Sequence, residues 1–224
     1  MAAMAAPTRD VKPILRNLLL RAEGGSCEVV STDLEIGLRI NVAGVRVDIP
    51  GDALMPAGRF VQILRELPDE EVAVDADLAK ANVSGSSSEF DMPSDDPSEF
   101  PLPSGDGAGA KLVVSSAVLR RLLTRTLFAA ASSEHSRFGA TTGVLFCCND
   151  NGLKLVATDG RRLALATGEF VDADDLKGMP IIPANATAML MRLIGNDDEE
   201  IKATFKPKGI TFTASGWSLY TRAV

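Results

Sequence analysis

Thr158-Asp159-Gly160-Arg161-Arg162 gathers a hydroxyl, a carboxylate and two guanidinium groups between the apolar stretches Leu155–Ala157 and Leu163–Leu165. A cluster of that kind suits three chemistries: a catalytic loop, a cradle for phosphate, or a turn between strands. Catalysis finds little support elsewhere in the chain. The single histidine, His135, stands among Ser132, Ser133 and Ser136, but a Ser-His-acid triad also needs a positioned nucleophile, and no G-x-S-x-G elbow occurs. No G-x-x-x-x-G-K-[ST] phosphate loop is present. Cys27, Cys147 and Cys148 are an odd number with two adjacent. They fit strand positions in a reducing cytoplasm better than disulfides or a zinc site, so neither metal nor cofactor is expected. Carboxylates crowd residues 68–71, 94–100 and 196–200, beside Pro, Gly or Asn. Solvated turns explain them; a hydrolase working through an acid pair would rest on the carboxylates alone.

The elements that must carry this cluster follow from the pattern of the whole chain. The 224 residues are 46% hydrophobic and 24% charged, with a net charge of −7, the composition of a soluble globular protein. No apolar run approaches the ~20 residues of a membrane helix, and "MAAMAAPTRD" does not read as a secretory signal. A shift of 126 lays "NLLLRAEGGSCEVVSTD" (17–33) over "GVLFCCNDNGLKLVATD" (143–159) without a gap, and Thr32-Asp33 falls on Thr158-Asp159. At a shift of 127, "MPAGRFVQILRELPDEEVAVD" lies over "IPANATAMLMRLIGNDDEEIKATF". The chain is a tandem repeat, with a Pro- and Gly-rich linker at 101–112 between the copies. Gly105, Gly107 and Gly109 follow no strand and open no helix, so they do not make a dinucleotide loop. Alternation predicts strands, with Val72 and Val74 on one face and Ile210, Phe212 and Ala214 on another. Asn151-Gly152 signals a hairpin. Helices are expected at 57–67, 115–131 and 184–194. The layer pattern is α+β, antiparallel sheets with a few helices on one face.

The charge is unevenly divided. In the second helix Val118, Leu119, Leu122, Leu123 and Leu127 form the apolar stripe, with Arg121 and Arg125 opposite and Arg120 on its flank. In the first, Arg65 points away from Phe60, Ile63, Leu64 and Leu67, and Arg59 is lateral; in the third, Arg192 points away from Leu190, Leu193 and Ile194. The three spans hold six arginines and one acid, Glu66, leaving 17 of the 23 basic and 29 of the 30 acidic residues elsewhere. Helix surfaces ordinarily mix signs. A positive face without aromatic platforms suits a duplex backbone better than stacked single-stranded bases.

"VKPILRNLLL", "STDLEIGLRI", "MPAGRFVQILRELPDEEV", "FPLPS" and above all "LVATDGRRLALA" resemble the bacterial DNA polymerase III beta subunit, the sliding clamp, from about Asp10 to Val224. The resemblance implies tandem clamp-type domains over 1–106 and 107–224. The first would lack its opening strand and helix, the second its C-terminal end, and a third domain would be absent. It implies a non-catalytic processivity factor of DNA replication in the cytoplasm, tethering partners on double-stranded DNA without reading sequence. Arg59, Arg65, Arg120, Arg121, Arg125, Arg137 and Arg192 would face the DNA while acidic sheets face outward. Thr158, Gly160, Arg161, Arg162 and Leu163 would wall a cleft for short linear motifs of the DNA polymerase III catalytic subunit, the clamp loader and repair polymerases. Arg161 stands where a histidine is often found, and Ala140-Thr141-Thr142 replaces a leucine common in that cleft. A second clamp subunit would close the ring in the full-length protein; this chain alone is expected to be a monomer or weak associate. A peptide-binding module of the same fold without the ring is the alternative.

Overall fold

Strands of alternating burial build both halves of the chain, whose computed structural model describes residues 1–7, 12–103, 108–132, 138–149, 152–174, 180–195, 198–207 and 209–224. Two compact units result, Met1–Pro103 and Ser104–Val224. The expected boundary at 106/107 lies outside the described residues, as do His135, Arg137 and the Asn151 half of the expected hairpin turn.

In the first unit β1 (Asn17–Glu23), β2 (Ser26–Thr32), β3 (Ile36–Val42) and β4 (Gly51–Pro56) pair antiparallel in the order β3-β2-β1-β4. α1 (Ala57–Glu66) follows, then the meander β5 (Ala73–Ala76), β6 (Lys80–Ser84) and β7 (Glu89–Pro93). Phe60 and Ile63 of α1 are buried with Leu18, Met55, Val83 and Met92. Leu64, expected on that apolar face, is 42% exposed. At 3.6 residues per turn the stripe through Phe60, Ile63 and Leu67 leaves position 64 at its margin.

The second unit repeats the plan. β9 (Gly143–Asn149), β10 (Gly152–Thr158), β11 (Leu163–Gly168) and β13 (Ile181–Pro183) pair in the order β11-β10-β9-β13. α3 (Ala184–Leu193) matches α1, and β14 (Glu200–Lys206), β15 (Gly209–Ala214) and β16 (Trp217–Arg222) match β5–β7. This unit adds β8 (Ala110–Ser115), paired with β14 and with the short β12 (Asp172–Ala173), and α2 (Ser116–Thr126). Leu119, Leu122 and Leu123 of α2 are fully buried, each contributing roughly 1.5–3 kcal/mol. Among the described residues the first unit has no counterpart of β8 or α2. β15 buries Ile210 and Phe212 as its alternation predicts. β14, flanked by β8 and β15, buries Ile201 and Ala203, whereas Val74, which matches Ile201 but stands on the outer strand β5, is 40% exposed and does not pack inward as its alternation suggested.

The second helix is shorter than its apolar stripe. It ends at Thr126, and Leu127–Ala129 form a 3-10 turn rather than the helix expected to 131. The Phe128 carbonyl, which a continuing helix would use internally, accepts instead from Arg162 Nη2 at 2.8 Å. Ala131 N–H meanwhile donates to Thr141 O. Two long-range bonds thus outcompete the next helical turn.

A candidate docking turn and the arginine-bearing helices

Thr158-Asp159 is a scaffold for a turn, and the first unit contains the same scaffold. Thr158 Oγ1 donates to Arg162 O at 2.7 Å and accepts from Gly160 N–H at 3.1 Å. Asp159 Oδ1 accepts from the N–H groups of Arg161 and Arg162 at 2.9 and 3.0 Å. In the first unit Thr32 Oγ1 donates to Ile36 O and accepts from Leu34 N–H, while Asp33 Oδ1 accepts from Glu35 and Ile36 N–H. All four bonds recur at the shift of 126. The repeat extends to the backbone: Gly160 has φ +84° and Leu34, at the matching position, φ +77°. A side chain in this left-handed region costs roughly 1–2 kcal/mol, which only glycine escapes. Nothing stands within 4 Å of a Cβ built on Gly160. Gly160→Ala should therefore lower stability by about 1 kcal/mol through the backbone alone, read as a lower urea midpoint; an unchanged or higher midpoint would refute the account.

The two arginines of the turn differ. Arg162 Nε pairs with Asp159 Oδ2 at 3.0 Å, Nη2 reaches the Phe128 carbonyl, and the guanidinium lies 5.5 Å from the Phe128 ring centroid. Its charge is engaged on three sides. The backbone N–H groups of Arg162 and Arg161, helped by the Arg162 charge, hold the Asp159 carboxyl below the usual carboxylate range. Arg161 is exposed and its side chain pairs with no described residue.

Beyond the turn, Leu163 and Leu165 project from β11, 65% and 53% exposed. The strand register aligns Leu165 with Val156, Val156 with Leu145 and Leu145 with Ile181. The three neighbours are only half-buried, so an open apolar row crosses the sheet. The matching row of the first unit, Leu19, Val30 and Leu54, is buried beneath Phe100, with Ile14 beside it. Pro103, three residues on, occupies the space above Gly37, where a Cβ would meet it at 2.1 Å. Gly37 matches Leu163 at the shift of 126. The first unit fills this surface with its own Phe100–Pro103 segment; among the described residues of the second unit, Leu163 and Leu165 stand exposed.

The helix arginines also separate. Arg121 and Arg125 are exposed on α2, Arg192 on α3 and Arg65 on α1. Arg65, Arg125 and Arg192 sit in last helical turns, where the helix dipole favours a cation by typically 0.3–1 kcal/mol, a purely local reason for part of the pattern. Arg120, expected among the DNA-facing set, is half-buried, and its Nη2 donates to the carbonyls of Ile194 and, at 2.7 Å, Gly195, closing the end of α3. Arg120, Arg121 and Arg125 line one shallow groove with Ser116, Thr124 and Gly195. Arg59 donates to Asp91 O at 2.9 Å. The strand faces of the two units differ in charge. On the β6–β7 meander Asp91 and Glu89 face out beside Lys80 and Asn82. On the second unit Lys111, Lys202, Lys206 and Arg222 share the outward face of β8, β14 and β16 with Glu200. The overall net charge concealed this split.

Among the described residues no cluster of His, Cys, Asp or Glu could hold a metal ion, and no helix is long and apolar enough to cross a membrane. Burial pushes the Cys27 and Cys148 thiols up, away from the nucleophilic thiolate.

The fold is that of a known family. Residues 1–104 match the description "DNA polymerase III beta subunit, N-terminal domain", and residues 113–224 match "DNA polymerase III beta subunit, central domain". The chain belongs to the DNA polymerase III beta subunit family. The beta sliding clamp of Caulobacter vibrioides is 30% identical over 224 residues, 96% of this chain and 59% of the relative. That of Escherichia coli is 29% identical over 198 residues, 87% of this chain and 52% of the relative. Crystal structures of sliding clamps bound to griselimycin superpose closely: the Bartonella birtlesii protein with a TM-score of 0.91 at 27% identity, covering 99% of this chain and 60% of that one, and the Pseudomonas aeruginosa protein with 0.90 at 28%, covering 100% and 60%. The chain thus spans about three-fifths of the length of its beta-subunit relatives.

Sequence reasoning found the turn but not the surface beside it. Leu145, Val156, Leu165 and Ile181 read as ordinary strand residues, and Phe128 as part of a helix. One signal was available: aligning the repeats sets Leu163 on Gly37 and Leu165 on Arg39, trading a glycine and a charge for two leucines.

Proposed function

We propose that the chain acts as part of a DNA sliding clamp: a non-catalytic ring component on duplex DNA that tethers polymerase and repair partners through short linear segments. The observation that carries this reading is the exposed leucine pair at the end of the second unit's apolar row. In the first unit the apolar row is covered by Phe100; in the second, Leu163 and Leu165 stand exposed beside the Thr158–Arg162 turn. An exposed leucine pair continuing a half-buried apolar row is the kind of patch that marks a docking site. Thr158, Gly160 and Arg162 shape the turn, Leu163 supplies the apolar wall, and Arg161 stands at the rim. The DNA polymerase III catalytic subunit, the clamp loader and repair polymerases are the partners this reading assigns to it, with a second subunit completing the ring.

The DNA side of the reading falls to Arg121, Arg125, Arg192 and Arg65, exposed on helices that carry Glu66 as their one acid. A ring retained by topology needs only weak phosphate contacts, and weak contacts permit sliding. Replacing Arg121 and Arg125 together by alanine should weaken binding to a mixed-sequence duplex irrespective of sequence and reduce the slope of log K against log salt by about 2. Fluorescence anisotropy across a salt series measures it. Arg120→Ala is the internal comparison: losing the α3 cap should lower the melting temperature and leave the slope alone. If the double variant keeps the parent slope, these arginines do not face DNA.

A further inference from the structure

Two adjacent arginines end the docking turn, and only one is used by the fold. Arg162 is held by Asp159, by the Phe128 carbonyl and by the Phe128 ring. Asp159 is itself saturated, accepting two backbone N–H groups and Arg162 Nε, so it is not available to neutralise a second cation. Arg161 is exposed and pairs with no described residue. It lies two positions before Leu163, the first residue of β11. One unengaged cation therefore stands at the end of an apolar strip. The first unit offers no such charge: the position matching Arg161 is Glu35, and the segment filling that surface brings its own acid, Glu99, immediately before Phe100.

Building on the docking reading above, we infer that Arg161 is a specificity-determining residue: it selects partner-protein segments that carry a carboxylate next to their apolar anchor. A peptide meets both halves of the surface, its anchor covering Leu163 and Leu165 while its acid faces the guanidinium. A nucleic acid strand would satisfy the cation but leave the leucines against water. Because the pair forms at an exposed rim, its contribution is that of a surface ion pair, about two- to fivefold in affinity, and salt diminishes it.

The test uses the full chain and two labelled peptides that share a Leu-Phe anchor and differ only in Glu or Gln immediately before it. Fluorescence anisotropy is read at low and at high salt. The Glu peptide should bind two- to fivefold tighter than the Gln peptide to the parent protein at low salt. Arg161→Gln should erase that difference between the two peptides. A preference for Glu that persists in Arg161→Gln overturns the inference and leaves the docking surface standing. Failure of both peptides to bind the parent protein overturns the docking reading along with it. Arg161-dependent binding of a labelled single-stranded oligonucleotide, with no discrimination between the peptides, assigns the cation to a different partner and also overturns the inference.

Discussion

Replacing Leu163 by aspartate should abolish peptide docking while the fold persists. The side chain is 65% exposed at the first position of β11, and the backbone pairing of Leu163 with Thr158 does not depend on what the side chain is. Exposed substitutions of this type change stability by about 0.5 kcal/mol or less. Binding is another matter. The aspartate puts a charge at the edge of an apolar row, where a partner could cover it only by stripping its water. An apolar anchor in such a patch is worth about 2 kcal/mol or more, so affinity should fall at least about 30-fold. A labelled clamp-binding peptide titrated against parent and variant measures this, with circular-dichroism melting curves to verify the fold. Equal binding by both proteins would remove Leu163 from the cleft, and with it the assignment of the turn.

Phe100→Ala should be the most damaging single change in the first unit. The ring is 5% exposed and covers Leu19, Val30 and Leu54, themselves 0–1% exposed. Truncation uncovers that row and leaves a cavity, a loss of about 3–5 kcal/mol by comparison with other buried phenylalanines. A total stability of order 5–15 kcal/mol makes this a large fraction. The single tryptophan, Trp217, lies in the second unit, so two signals separate the halves. Under urea, far-ultraviolet circular dichroism should lose amplitude at a lower concentration than in the parent, while Trp217 fluorescence reports on the second unit. A shift equivalent to less than about 1 kcal/mol would mean that Phe100 does not close the row.

The parts of this molecule legible in the sequence are those written in local pattern. Thr32-Asp33 and Thr158-Asp159 could be matched because each turn is closed by bonds spanning no more than four residues. The buried faces of α2 and β15 followed from periods of 3.6 and 2. What escaped depends on partners far away in the chain. The end of α2 is set by Arg162, 34 residues from the carbonyl it takes. Arg120 and Arg121 are neighbours of one type, and periodicity distinguishes them only by angle; the carbonyls of Ile194 and Gly195 decide that one is a cap and the other a surface charge. The open row was hidden for the same reason. Leu145 and Leu19 are the same residue in the same strand position, and it is the distant Phe100 that helps bury Leu19.

That cover also limits access. Two copies of one surface suggest two interchangeable sockets, yet Phe100 and Pro103 already plug the first. A visiting segment can enter the first socket only by evicting them.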